Sequence, residues 1–98
     1  MKLLYDVKNK TIRECTEGSK EVKLSQLENR CIAILSNGNV CTWKDAYEYV
    51  YQEKYDHYDR LCRSRLTNVY KRLTHKINLD IRNVPGIGIV LNDEVFIV

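Results

Sequence analysis

The chain has 98 residues, of which 44% are apolar, a length and composition typical of one small globular domain. No apolar run approaches the ~18 residues of a membrane-spanning helix, and Asp6 interrupts the apolar start too early for a signal peptide, so we expect a cytoplasmic protein with no membrane contact. The net charge of +3 is unevenly distributed: six of the 16 Lys and Arg residues, and none of the 13 Asp and Glu residues, lie between Arg60 and Leu79.

Residues 1–24 predict short strands. Apolar and polar side chains alternate from Thr11 to Cys15, while Asn9-Lys10 and Gly18-Ser19 supply turn residues. We expect a small antiparallel sheet of two or three strands in this part of the domain.

Residues 25–79 predict a core of three helices. Ser25 and Glu28 form a capping box before a first helix over about 26–36, and Asn37-Gly38 provides its left-handed end. Thr42 caps a second helix, whose apolar positions are Trp43, Ala46, Tyr47 and Val50. Its tyrosines are expected to pack or to line the surface, with stacking on nucleic-acid bases as the alternative.

The third helix, from Asp59 as cap to about Lys76, carries the strongest functional signal. Its apolar seam is Cys62, Leu66, Val69 and Leu73, at helical spacing. The other side and its flanks present cationic and hydrogen-bonding groups: Arg60, Arg63, Ser64, Arg65, Thr67, Asn68, Lys71 and Arg72. These residue types bind phosphates and base edges in a DNA major groove, although a solvated helix face is the alternative.

Residues 80–98 predict a β-hairpin and a terminal strand. The stretch Pro85-Gly86-Ile87-Gly88 lacks the third glycine of a dinucleotide-binding loop, and the β-branched residues after it disfavour a helix-hairpin-helix motif. A hairpin of 81–84 and 89–91 fits best, with glycine supplying positive φ at its tip. Residues 94–98 are too apolar for a solvated tail and are expected to pair with a sheet.

The four cysteines, at positions 15, 31, 41 and 62, contain no C-x-x-C pair, which disfavours a metal site. We interpret them as buried reduced thiols, with disulfides as the alternative. His57 between two aspartates and His75 at a helix end do not form a catalytic group with a nucleophile. The sequence therefore predicts no enzyme, no catalytic residue, no metal and no cofactor.

The order sheet, three helices, hairpin is that of a winged helix-turn-helix, and the sequence resembles the DNA-binding output domain of OmpR/PhoB-type response regulators. The resemblance rests on "EVKLSQLENRCIAILSNGNVCTWKDA", "CRSRLTNVYKRL" and "IRNVPGIGIVL". It implies an α+β fold in which the third helix enters the major groove and the hairpin, as the wing, contacts DNA through Asn83 and Pro85. No receiver domain is expected in this chain.

The sequence departs from the family pattern at three positions. Pro85 stands where the family usually has the arginine of the wing, so that cationic contact is expected to be lost. Leu61 stands where a threonine usually holds a phosphate, and Arg63 replaces a common acidic residue. We therefore expect a base preference that differs from that of the family.

The expected function is sequence-specific binding of double-stranded DNA in transcription regulation. By resemblance, the connector 52–58 is a candidate contact for RNA polymerase, although an inert loop is the preferred interpretation. Pairing through terminal strands is a route to a homodimer. The alternative function is a protein-interaction module of the same fold, acting on the transcription machinery through the aromatic second helix or the last strand.

Overall fold

The computed structural model describes residues 1–98 and contains the three predicted helices, arranged with two small sheets in an α+β fold. The helices are α1 (Gln26–Leu35), α2 (Trp43–Tyr51) and α3 (Arg60–Lys76). The strands are β1 (Lys2–Asp6), β2 (Thr11–Glu14), β3 (Val22–Lys23), β4 (Cys41–Thr42), β5 (Ile81–Val84), β6 (Gly88–Leu91) and β7 (Glu94–Ile97). No helix is both long enough and apolar enough to cross a membrane.

The N-terminal sheet has four strands in the order β3-β2-β1-β7. The β1–β2 and β2–β3 pairs are antiparallel, as predicted, but β7 pairs with β1 in parallel, with Leu3 opposite Val95. The predicted antiparallel sheet is confirmed for β1–β3, and the terminal strand joins it through a parallel pair whose direction the sequence did not specify. The physical cause of the parallel pairing is packing, because Val95 lies against the same core that buries Leu3, and this contact brings the end of the chain beside its beginning.

A buried carboxylate holds the turn that leads into β7. Asp93 is 7% exposed, and its Oδ2 accepts a 2.6 Å hydrogen bond from the backbone N–H of Asp80. Its Oδ1 lies 3.3 Å from the amino group of Met1. One side chain thus joins the start of the β5–β6 hairpin, the start of β7 and the start of β1.

The second sheet, in the order β4-β6-β5, depends on a glycine for a reason that the sequence did not reveal. We expected glycine to supply positive φ at the tip, and Gly86 does so, at +76°, whereas Gly88 does not. Gly88 lies inside β6 opposite Thr42, and a Cβ atom there would lie 1.8 Å from the carbonyl oxygen of Cys41. Gly88 is therefore required for the close approach of the β4 backbone.

We predict that Gly88→Ala destabilises the protein by at least ~2 kcal/mol, because the added methyl group collides with backbone atoms that cannot rotate away. Gly86→Ala has open space around it and should cost only the left-handed conformation, about 1 kcal/mol. Guanidinium unfolding followed by Trp43 fluorescence measures both. Equal losses for the two variants would contradict the close-approach explanation.

The core consists of 18 buried apolar residues shared by the N-terminal sheet, the helices and the second sheet. The predicted seam of α3 is confirmed, since Cys62, Leu66, Val69 and Leu73 are all at most 4% exposed. Tyr5 links the sheet to α1, because its buried hydroxyl donates to the backbone carbonyl of Asn29 at 3.0 Å. The three helices and β1 therefore share one interior.

An ion pair between the buried Glu28 and the exposed Lys76 joins the first turn of α1 to the last turn of α3. Ser25 and Glu28 form the predicted capping box, with the Ser25 N–H donating to Glu28 Oε1 at 2.7 Å. The same oxygen accepts from Lys76 Nζ at 2.7 Å. Burial by itself raises the pKa of Glu28, but the hydrogen bonds from Lys76 and Ser25 outweigh it and hold the pKa below its ordinary value.

We predict that Glu28→Gln destabilises the protein by about 1–2 kcal/mol at pH 7 and flattens its acid unfolding. The carboxylate has a lower pKa in the folded chain than in the unfolded chain, so its contribution is present above pH ~4.3 and is lost as the pH falls through the folded value. Urea unfolding at pH 7 and at pH 3.5 measures both effects. Glu17→Gln, at an exposed position with no ion pair, is the matched control, and an equal effect of the two variants would refute the role of Glu28.

The cysteines lie in different environments and form no disulfide. Cys31 and Cys62 are buried, as predicted, and burial raises the pKa of Cys31 to about 12. Cys41 is partly buried, while Cys15 is exposed after the end of β2, so the prediction of burial was wrong there. The strand ends at Glu14, so Cys15 lies in the bend that follows it and faces solvent.

Candidate nucleic-acid interface

Helix α3 begins at a capping aspartate and turns its polar side outward. The Asp59 carboxylate accepts a 2.9 Å hydrogen bond from the backbone N–H of Leu61, which satisfies one of the free donors of the first turn. Because the apolar seam packs into the core, the opposite side of the 17-residue helix faces solvent. The helix bounds match the predicted 60–76.

One open groove along α3, with a volume of about 550 Å³, brings most of the predicted site together. Seven of the nine predicted residues line it: Arg60, Arg63, Ser64, Thr67, Asn68, Lys71 and Asn83. Asn83 belongs to β5, so the β5–β6 hairpin contributes one wall of the groove. Side chains of α3 line the groove from Arg60 to Lys71. The groove therefore combines the helix and the hairpin in one surface.

The cationic side chains of this groove are free of acidic partners. Arg60, Arg63 and Lys71 are exposed and form no ion pair. Arg63 lies over the ring of Trp43, with its guanidinium carbon 4.4 Å from the ring centroid, a contact that orients the side chain and leaves its charge in place. Helix α3 itself contains no acidic residue. The carboxylate of its N-cap, Asp59, also lines the groove.

The two remaining arginines of the predicted site face a second groove, of about 480 Å³, on the neighbouring flank of α3. Arg65 is the less available of them, because its Nη1 lies 3.7 Å from Glu53 and 3.5 Å from the Tyr47 hydroxyl. Arg72 forms no ion pair. Asn68 and Lys71 line both grooves and form the ridge between them.

Sequence reasoning missed five residues that also line the main groove: Trp43, Tyr55, His57, Asp59 and Tyr70. Trp43 was predicted as a core residue, and it is one, but at 8% exposure one edge reaches the groove. Its indole N–H is buried and has no hydrogen-bond partner. Tyr70 lies three residues after Thr67, so helical spacing could have placed it on this flank.

Two of the three tyrosines of α2 pack, while Tyr49 lies on the surface and is 43% exposed. Tyr47 is 1% exposed and its ring stacks on Tyr51 with centroids 4.9 Å apart. The Tyr51 hydroxyl donates to the backbone carbonyl of Arg65 at 2.9 Å. These two rings join α2 to α3 and are not free to stack on bases, whereas Tyr58 in the connector is 96% exposed.

The β5–β6 hairpin offers hydrogen-bonding groups but little free positive charge. Arg82 is the one cation of the hairpin, and its Nε donates to Asp80 at 2.9 Å. This pair holds the pKa of Asp80 below its ordinary value. The unpaired positive charge of this surface therefore comes from α3, and the hairpin adds Asn83 and its tip, Pro85-Gly86-Ile87.

In chemical terms the groove is suited to an extended polyanion that also carries hydrogen-bonding edges. Its Arg and Lys side chains supply positive charge, and Ser64, Thr67, Asn68 and Asn83 supply donors and acceptors between them. The groove is open along its length and encloses no deep cavity for a small ligand. No protein-family model matches this chain, and no curated protein is significantly similar to it in sequence.

We predict that Asp59→Ala destabilises the protein by about 1 kcal/mol, because α3 loses its N-cap, while Asp59→Asn stays within a few tenths of a kcal/mol of the wild type. Asparagine caps a helix as well as aspartate does but carries no charge. Guanidinium unfolding of the two variants tests this. A loss for Asp59→Asn equal to that for Asp59→Ala would show that charge, and not capping, is the contribution of Asp59.

Proposed function

We propose that this protein binds double-stranded DNA sequence-specifically and regulates transcription, with α3 as the recognition helix in the major groove. The observation that carries the proposal is the main groove itself, in which unpaired cations alternate with hydrogen-bonding side chains along one exposed helix face. An α-helix fits the width of the major groove of B-DNA.

The cations supply affinity that does not depend on sequence. Arg60, Arg63, Lys71 and Arg72 form no ion pair within the protein, so they can neutralise phosphates and release counterions. The rest of the chain carries ten basic and 13 acidic residues. The excess of positive charge therefore lies in residues 60–79, which comprise α3 and the three residues that follow it. This asymmetry favours docking through α3.

The polar side chains between the cations supply the means of reading bases. Asn68 is exposed on the ridge of α3, where its amide can pair with adenine, and Arg60 or Arg63 can pair with guanine. Ser64 and Thr67 can contact either phosphates or bases. The proposal therefore assigns specificity to one helix face.

The arrangement of elements supports a winged helix-turn-helix interpretation. The α2–connector–α3 segment has the order of a helix-turn-helix, and the β5–β6 hairpin lies beside α3 with β4 as the third strand of its sheet. On this interpretation the hairpin is the wing, as the resemblance to OmpR/PhoB-type output domains implies.

The proposal includes two protein partners. A single module of this size buries about 600–1,000 Å² on DNA, so a homodimer on repeated half-sites would increase affinity. The connector 52–58 is the proposed contact for RNA polymerase, which the nearly complete exposure of Tyr58 favours.

The second candidate function is protein binding through β7 without direct reading of DNA. It is favoured by the exposed edge of β7, where Phe96, Ile97 and Val98 are 44%, 63% and 75% exposed. The aromatic helix is a weaker basis for this function than the sequence suggested, because Tyr47 is buried and Tyr51 is tied to α3.

We predict that the triple variant Arg60→Glu, Arg63→Glu, Lys71→Glu lowers affinity for a duplex selected from a random DNA pool at least 100-fold at 0.1 M salt. Lys71→Ala alone should reduce the slope of log affinity against log salt by about 1 while affecting all duplexes equally. Asn68→Ala should reduce the preference for the selected duplex over a scrambled one. Fluorescence anisotropy at several salt concentrations measures all three.

The matched control is Lys8→Glu, Lys10→Glu, Lys20→Glu, which makes the same change of charge at exposed positions in the N-terminal sheet and its turns. It should keep most of the affinity, because it lies outside the groove. If both triple variants lose affinity equally, net charge and not the α3 surface determines binding. If neither does, the protein-binding function through β7 becomes the better account.

A further inference from the structure

Strand β7 is an open edge of the N-terminal sheet. It lies last in the order β3-β2-β1-β7, so one side of it pairs with β1 and the other side has no neighbouring strand. The N–H of Val98 donates to the carbonyl of Tyr5 at 2.9 Å on the paired side. Because successive residues of a strand direct their backbone groups to alternate sides, the N–H and C=O groups of Val95 and Ile97 face the free side.

The other three sheet edges carry features that prevent pairing with a further strand. Strands β3 and β4 have only two residues each, and β5 carries the charged Arg82 and is followed by Pro85. Strand β7 has four residues, and its one charged side chain is Glu94 at its first position. Short length, charge and proline are the usual means by which proteins protect an edge. Only β7 is therefore open to a strand from another chain.

The end of β7 also exposes apolar side chains that the fold does not use. Phe96, Ile97 and Val98 are 44%, 63% and 75% exposed, and none of the three belongs to the buried core. Together they leave on the order of 300 Å² of apolar surface next to the free backbone groups. The stability of a single copy does not explain three apolar residues at these positions.

The register around Phe96 makes this edge complementary to itself. If two β7 strands pair antiparallel around a twofold axis at Phe96, Val95 of each copy lies opposite Ile97 of the other. Both positions have free N–H and C=O groups, so the two strands can exchange four hydrogen bonds. Phe96 then lies opposite its own copy, with Cβ atoms about 4.5–5.5 Å apart, and no charged side chain occupies these three positions.

A head-to-tail arrangement does not satisfy this edge. In such an arrangement β7 of one copy would pair with a different edge of the next copy, and the other edges are short or carry charge and proline. The same surface must therefore be used by both copies, which is the condition for a twofold contact.

We propose that two copies of this protein pair through β7 and join their N-terminal sheets into one continuous sheet, with the twofold axis at Phe96. The pairing itself does not depend on DNA. Its consequence rests on the proposed function and deepens it, because a twofold axis relates the two α3 helices and requires the two half-sites on DNA to form an inverted repeat.

The area of the contact predicts a weak dimer in solution. Two such patches bury on the order of 600 Å² of apolar surface, whereas stable complexes bury about 1,200 Å² or more in total. Two copies on neighbouring half-sites meet at an effective concentration in the mM range. We therefore expect dimers at high protein concentration and cooperative binding to a duplex with two half-sites.

The test of the pairing is sedimentation equilibrium of the full chain at concentrations up to about 1 mM. The wild type should dimerise, while Phe96→Glu and Phe96→Lys should each stay monomeric, because like charges then lie opposite each other across the axis. An equimolar mixture of the two variants should dimerise at least about 10-fold more tightly than either variant alone, because the charges are then opposite. Pairing of β7 with a different surface cannot produce this rescue.

The matched controls are Val7→Glu and Val7→Lys, which make the same changes at an apolar residue of similar exposure, 42%, in the turn between β1 and β2. Both should dimerise as the wild type does. Thermal unfolding of the Phe96 variants should match the wild type, since Phe96 lies outside the core. Their loss of dimerisation is then separate from any loss of fold.

The arrangement on DNA is tested with duplexes that carry two selected half-sites as an inverted or a direct repeat, at spacings that differ by one helical turn. The wild type should bind the inverted repeat cooperatively, with at least about 10-fold higher affinity than independent sites give. Phe96→Glu should bind a single half-site as the wild type does but should lose the cooperativity.

Two results would overturn the proposal. A wild type that stays monomeric and binds two half-sites independently would leave a strand of another protein as the occupant of β7. Equal cooperativity on direct and inverted repeats would exclude the twofold axis. If the wild type dimerises and the mixture of Phe96 variants is rescued, but no duplex is bound, the proposed function fails and the β7 dimer stands.

Discussion

The packing of one side of α3 against the other helices determines how the protein presents its chemistry. Four apolar side chains, Cys62, Leu66, Val69 and Leu73, are almost completely buried along one side of this helix. Once that seam is in the core, the rotation of the helix is set, and the cationic and amide side chains on the other side must face solvent. Disruption of the seam would alter the fold and the candidate interface together.

Several carboxylates close to α3 have structural tasks, and this leaves the exposed face positive. Glu28 is buried and paired with Lys76, Asp59 caps the helix, and Glu53 lies beside Arg65. Asp80 binds Arg82 in the same way in the hairpin. Among the cations of the predicted site, only Arg65 has an acidic neighbour within ion-pair distance. Although the net charge of the whole chain is only +3, the exposed face of α3 can therefore present a strong positive electrostatic field.

The helix bounds, the apolar seam and the hairpin were predictable because local signals specify them. The capping box at Ser25, the cap at Asp59 and the Pro85-Gly86 turn each require only a few neighbouring residues, and the structure contains all three. Most of the groove lining was predictable for the same reason, since six of the predicted residues that line it lie on one helix at helical spacing. Its DNA-binding role remains a proposal that the groove supports.

The features that could not be predicted depend on contacts between distant parts of the chain. Trp43 reaches the groove, and Glu53 reaches Arg65, only because α2 and the connector pack beside α3. The parallel pairing of β7 with β1 joins residues more than 90 positions apart, and nothing within either strand specifies that partner or its direction.

Taken alone, the sequence determined which segments are helical or extended and which side of α3 is polar, because periodicity and capping act over a few residues. The tertiary structure decided which cations remain unpaired, why Gly88 must be glycine, and how Asn83 comes to lie beside α3. Those properties depend on which surfaces meet, and that follows from the packing of the whole core rather than from any single stretch of the chain.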